Sequence, residues 1–257
     1  MFAKKSLGQN FLMHQQTADR IVAAAGLAPG DTVLEVGPGT GMLTRALLAS
    51  GAQVIAVEAD HALIETLEGT FAPEIGEGRL TLSQGDIRNF DAGSIPKPYA
   101  VVANIPYYIT GEIIRQFLTA NNQPSSMTLL VQKEVAERIA RSKKESLLSL
   151  SVKAYGTPSY VFTVPRGAFR PAPNVDSAVL HIRDISKESF SDSAREDRFF
   201  EVLHAGFAHK RKQLGNNLED LASKKAVADA LAAAGIAPTV RAEDLSLSTW
   251  LALATKI

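Results

Sequence analysis

The 257-residue sequence contains no cysteine, which excludes disulfides and thiolate-held metals. Its five histidines form no H-x-x-x-H pair, so surface or packing roles are expected for them and no metal site. No run approaches the ~20 apolar residues that a membrane span requires. Met1–Ser6 has two lysines but no apolar stretch behind them, so it does not read as a secretory signal, and a cytoplasmic, soluble protein is expected. An excess of one charge is also missing: 27 basic residues face 27 acidic ones. Bulk charge therefore gives no argument for a nucleic-acid partner. There is no internal repeat and no long low-complexity tract. What the chain does have is 46% hydrophobic residues, enough to bury the core of one large domain, or of one with a small companion.

Charge is uneven along the chain. Residues 131–170 hold eight Lys or Arg against three Glu. Lys210, Arg211 and Lys212 stand together with no acidic residue nearer than Glu201 and Glu219. Either run could simply be a solvated face, and either could hold phosphates.

The pattern of elements is clearer. An arm from Lys4 to Leu12 has a glycine turn and neither helical nor strand period. Thr17 is expected to cap a helix that carries Ile21, Val22 and Ala25 on one face and stops at Gly26. Apolar runs at 32–36, 53–57, 79–83, 100–104 and 127–131 read as buried strands, with helical spacing after most of them. This alternation implies an α/β fold with a parallel sheet wound on both faces. Beyond Ser146, Leu147–Val164 and Val175–Ile182 are expected to be strands with no helix between them, an antiparallel edge pair. Residues 184–197 read as a linker, and everything from Arg198 onward is helical in pattern. The expected division is a sheet domain over 1–184 and a small helical domain over 185–257.

Two stretches carry chemistry. Gly37, Gly39 and Gly41 follow a strand and open a helix, the context in which backbone can approach a nucleotide. Met42 breaks the dinucleotide pattern and no Gly-Lys-Ser/Thr follows, so neither a dinucleotide site nor a P-loop fits. Glu58 ends the next strand, where a carboxylate can accept both hydroxyls of a ribose; Asp86 ends the third and can reach the base of the same nucleoside. The second stretch is Asn104-Ile105-Pro106-Tyr107. Pro106 lacks an N–H and biases Ile105 toward an extended conformation, so the Ile105 carbonyl can be left without a ladder partner. Beside it stand the Asn104 side-chain amide and the Tyr107 ring. Two acceptors and a stacking face suit a planar base with an exocyclic amine. Taken alone, the stretch also fits a strand stopped by a proline turn.

Lys5–Leu12, Val33–Thr44, Val57–Glu58, Gly85–Asp86, Asn104–Tyr107, Phe169–Ala178, Lys210–Leu218 and Arg241–Ser246 follow one another nearly end to end. Together they resemble the motifs of the ribosomal RNA small-subunit adenine N6-dimethyltransferase family. That resemblance implies a Rossmann-like class I methyltransferase sheet with a small C-terminal helical domain. It implies S-adenosyl-L-methionine as cofactor, contacted by Asn10, Leu12, Gly37, Glu58, Asp86 and Asn104. Tyr107 and Phe169 would stack on the target base. The implied reaction is N6,N6-dimethylation of two adjacent adenosines near the 3′ end of 16S-type rRNA, by a monomer acting on an assembling small subunit, with Lys210–Lys212 as an RNA contact. The sequence departs from the family pattern at Ile105 and Tyr108, where leucine and asparagine are common. It departs again at Ser146–Leu150, in place of a Tyr-Gly turn, and at Gly215, where arginine is frequent. Two alternatives belong beside this reading: a large-subunit methyltransferase of the macrolide-resistance type, and a non-catalytic nucleic-acid-binding descendant. Gly8 and the C-terminal signature favour the small-subunit group, and intact Gly37, Glu58, Asp86, Asn104 and Tyr107 favour retained catalysis.

Overall fold

The computed structural model describes Lys4 and residues 7–257. Lys5 and Ser6, with which the N-terminal motif begins, and Met1–Ala3 lie outside the described residues. The arm ends in a two-residue strand, β1 (Phe11–Leu12), which pairs antiparallel with Phe169–Arg170. No strand period was expected there; a pair this short has none, and only the partner makes it a strand. Helix α1 (Gln15–Ala25) begins two residues before Thr17, with His14 in the capping position, and closes at Gly26 in the left-handed region.

The sheet then follows in alternation. In chain order come β2 (Thr32–Val36), α2 (Met42–Ala49), β3 (Gln53–Glu58), α3 (His61–Thr70), α4 (Ala72–Gly76), β4 (Leu80–Gln84), β5 (Tyr99–Asn104), α5 (Thr110–Thr119), β6 (Ser126–Gln132) and α6 (Lys133–Ala140). The strands are apolar on both faces because helices cover both: Val33, Leu34, Val101, Val102 and Leu129 are all fully buried. Each such side chain contributes roughly 1.5–3 kcal/mol.

After α6 the expectation of continuous strand from Leu147 fails. Leu147–Tyr155 is a helix, α7, and only Thr157–Val164 is strand, β7. The Leu/Ser alternation imitates a period of two, but Ser146 and Ser149 form a reciprocal cap. The Ser146 amide donates to Ser149 Oγ at 2.7 Å and the Ser149 amide to Ser146 Oγ at 3.1 Å, which starts a helix. β8 (Phe169–Arg170) and β9 (Ser177–Arg183) complete the strands. The main sheet has the order β4-β3-β2-β5-β6-β9-β7. Its first five strands are parallel; β9 runs antiparallel to β6, and β7 antiparallel to β9. Strand order reverses between β2 and β5, so their C-terminal ends open a crevice.

Two compact units result, one of residues 1–137 with 156–185, the other of 138–155 with 186–257. The expected boundary at 184/185 had placed 138–155 with the sheet. In the second unit, α8 (Ser193–Gly206) starts inside the stretch expected as linker, because Asp192 caps it by accepting from the Arg195 amide. It is followed by α9 (Leu214–Leu218), α10 (Lys224–Ala233) and α11 (Leu247–Ala254). They bury Phe199, Leu203, Leu214, Leu218, Leu253 and Trp250, and the Trp250 ring stacks on Phe207.

Candidate active site

Every donor-side residue expected from the sequence, together with Asn104–Tyr107, lines one cavity at the C-terminal ends of β2, β3, β4 and β5. Its floor is the turn from β2 to α2. Gly37, Gly39 and Gly41 all have positive φ. At Gly41 the reason is double: φ is 81°, and a Cβ would lie 2.5 Å from the Phe71 ring. The Gly37 amide donates to Val57 O at 2.9 Å, which ties the turn to β3.

The Glu58 carboxylate is organised by that turn. Gly39 N–H donates to Oε2 at 3.0 Å and Asp60 N–H to Oε1 at 2.9 Å. Burial raises its pKa, and these backbone donors pull it back. The remaining lone pairs are acceptors, as a pair of ribose hydroxyls requires. Asp86 has a different environment. Its side chain caps the turn at Ile87–Asn89 and is gripped by Arg88, whose Nε reaches both carboxylate oxygens at 3.0 Å. The Arg88 guanidinium holds the Asp86 carboxyl below the usual carboxylate range.

Glu35 was not singled out from the sequence, although it lies inside the Val33–Thr44 motif. It is 1% exposed, lines the cavity, and neither of its oxygens has a hydrogen-bond partner among the described residues. Burial, only partly opposed by Thr44 beside it, pushes its pKa up to about 8. The available signal was a lone acid inside an otherwise apolar buried strand.

Across the cavity the arm meets the end of β5. Asn104 Nδ2 donates to the Asn10 carbonyl at 3.0 Å, and Asn10 Nδ2 donates to Gly8 O at 3.1 Å. Since only the nitrogen of an amide can donate, Asn104 Oδ1 is left as the acceptor. Ile105 N–H donates to Leu130 O at 3.3 Å, and no described residue donates to the Ile105 carbonyl. Tyr107 is half-buried, with its hydroxyl 2.6 Å from the fully buried Ser177 Oγ.

Two expected groups are not in this cavity. Phe169 is 2% exposed, packed in the core opposite Leu12 in the β1–β8 pair, so its ring offers no free face in this conformation. Lys210, Arg211 and Lys212 belong to the helical unit. They are exposed on the turn between α8 and α9, which Asn217 pins by donating to the carbonyls of Gly206 and His209 at 2.6 and 3.2 Å. Among the described residues, no group of three or more His, Asp or Glu is placed to hold a metal ion.

The model of the ribosomal RNA adenine dimethylases matches residues 2–257. The chain belongs to that family. The ribosomal RNA small subunit methyltransferase A of Dehalococcoides mccartyi is 46% identical over 254 residues, 96% of this chain and 86% of that protein. The protein of the same name from Lactococcus lactis is 41% identical, covering 98% and 88%. Among solved structures, a dimethyladenosine transferase from Plasmodium falciparum superposes with a TM-score of 0.81 at 27% identity, covering 95% of each chain. The 23S rRNA methyltransferase ErmE superposes with a TM-score of 0.76 at 28% identity, covering 96% of this chain and 99% of its own. The cavity just described has Glu58 on one side and the end of β5, with Asn104 and Ile105, on the other.

Proposed function

We propose that this adenine dimethylase transfers methyl groups from S-adenosyl-L-methionine to N6 of two adjacent adenosines near the 3′ end of small-subunit rRNA, acting as a monomer on an assembling subunit in the cytoplasm. The observation that carries the reading is the Asn104 amide, turned by Asn10 so that its oxygen and the Ile105 carbonyl both lack donors among the described residues. An exocyclic amine has two hydrogens for two such acceptors.

The residues present fit the proposed donor. Glu58, held by Gly39 and Asp60, would take the ribose hydroxyls. Asp86 would face the base, and the unpartnered Glu35 carboxyl suits a cationic amino group, whose charge would ionise it. When bound, the donor supplies an activated sulfonium methyl. The protein supplies alignment. The lone pair of an adenine amine is delocalised into the ring, so the amine is a poor nucleophile. Hydrogen bonds to Asn104 Oδ1 and Ile105 O favour a pyramidal nitrogen with its lone pair freed toward the methyl. Tyr107, its ring held by Ser177, offers a face to a base taken out of its stack, offsetting part of an unstacking cost of a few kcal/mol. A strong general base is not needed, since the amine becomes acidic once methylated.

Relatives named for the small subunit at 41–46% identity, against 28% for the 23S enzyme, favour the small-subunit substrate. The test is a labelled methyl donor offered with immature small subunits, mature small subunits, large subunits and naked rRNA, followed by mapping of the modified nucleoside. Dimethyladenosine confined to immature small subunits is the expected result. Label on large subunits would replace the substrate, and no transfer to any RNA would overturn the reading.

A further inference from the structure

Tyr108 is 61% exposed, the most exposed of the large hydrophobic side chains among the described residues, and it stands at the rim of the cavity proposed for the donor. Among the described residues its hydroxyl has no hydrogen-bond partner, although the Arg88 guanidinium lies within electrostatic reach of it. One side of the ring is covered. A Cβ on Gly8 would lie 3.0 Å from its Cδ1 and Cε1 atoms, and Gly8 holds φ at 59°. The ring is therefore braced from behind by bare backbone. Tyr107 and Tyr108 open one 3₁₀ turn, Tyr107–Ile109, in which successive side chains point about a third of a turn apart. Tyr107 is directed inward to Ser177, and Tyr108 faces out at the mouth.

Resting on the proposed adenosine substrate, we infer that Tyr108 stacks on the neighbouring adenosine of the pair while its partner occupies the pocket. Taking one base out of a stack strips its neighbour of a stacking face, and an exposed, braced aromatic ring replaces it. The two consecutive tyrosines thus hold two consecutive bases. Phe169 is buried in the core, and of the aromatic side chains lining the cavity besides Tyr107, Phe11 is partly buried while Tyr108 is exposed. This position is also one where the chain departs from the pattern common in the sequences it resembles.

The experiment uses the full chain with immature small subunits assembled on rRNA that carries, in turn, an abasic residue in place of each adenosine of the pair. Tyr108→Ala is expected to weaken RNA binding about 5- to 100-fold on intact substrate, the range for losing one base–aromatic stack. Tyr108→Leu, which keeps bulk against Gly8 without a π face, should lose as much, and Tyr108→Phe should restore affinity. An abasic neighbour should cost wild type a similar factor and cost Tyr108→Ala nothing further. Donor affinity, measured by calorimetry without RNA, should stay within twofold. Equal losses for Tyr108→Ala on intact and abasic RNA would overturn the inference, as would lower donor affinity with unchanged RNA affinity. Failure of wild type to methylate any of these RNAs would overturn the substrate reading instead.

Discussion

The Asn104 side chain donates to the main-chain carbonyl of Asn10 at 3.0 Å, a bond between residues 94 positions apart. It joins the end of a central strand to the N-terminal arm and sets which end of the amide faces the cavity. Under the proposed function, orientation of a substrate amine would depend on this contact with the arm.

Asn104→Asp should therefore be far worse than its shape suggests. Aspartate has no hydrogen to give the Asn10 carbonyl, and a carboxylate beside that carbonyl is repelled. Both Asn104→Asp and Asn104→Ala should lower the single-turnover rate at saturating donor and RNA by on the order of 10²-fold, comparable with losing one preorganised hydrogen bond to a transition state. RNA affinity should change far less. A near-normal rate in either variant would remove Asn104 from the chemistry.

Glu35 should make stability and donor binding depend on pH. Its folded pKa, about 8, lies above the ordinary 4.5, so the folded state holds the proton more tightly. The contribution of Glu35 to stability without donor is then fully present below about pH 4.5 and is lost as pH rises toward 8, by at most ~1.4 kcal/mol per pH unit. Denaturant unfolding of wild type and Glu35→Gln across pH 5–8 checks this, the variant showing the flatter profile. Calorimetry in buffers of different ionisation enthalpy should detect a proton released on donor binding by wild type alone. Identical pH profiles would mean that the carboxyl is already ionised.

Phe169→Ala separates two roles. A ring buried to 2% beside Leu12 should cost ~3–5 kcal/mol of stability when removed. If stability holds and RNA affinity alone collapses, Phe169 leaves the core to meet substrate.

Lys210, Arg211 and Lys212 are exposed, and no described residue forms an ion pair with them. If all three touch phosphates, replacing them with alanine should flatten the log–log salt dependence of RNA binding by roughly two to three units. Cognate and non-cognate RNA should weaken alike, with donor affinity unchanged. Equal salt slopes for wild type and variant would assign the turn to a solvated face.

Residues whose placement follows from chain-local chemistry were legible in the sequence. Gly37–Gly41 had to be a tight strand-to-helix turn, and Glu58 and Asp86 had to stand at strand ends, because strand and helix periods locate those ends. Pro106 marked a carbonyl without a ladder partner for the same local reason. Helix α7 was missed because Leu147–Val152 alternates like a strand, while the Ser146–Ser149 cap that overrides the pattern is a matter of geometry.

Tertiary structure alone decided the rest. A pairing two residues long between β1 and β8 has no period to read, yet it seats Leu12 at the cavity and Phe169 in the core. The donors that organise Glu58, the grip of Arg88 on Asp86 and the isolation of Glu35 come from neighbours that no spacing specifies. By itself the sequence determined a parallel sheet with acceptors at the ends of its strands, because burial and backbone hydrogen bonding act residue by residue. Which acceptors stay free for a ligand depended on contacts between distant segments, and those exist only once the chain has closed on itself.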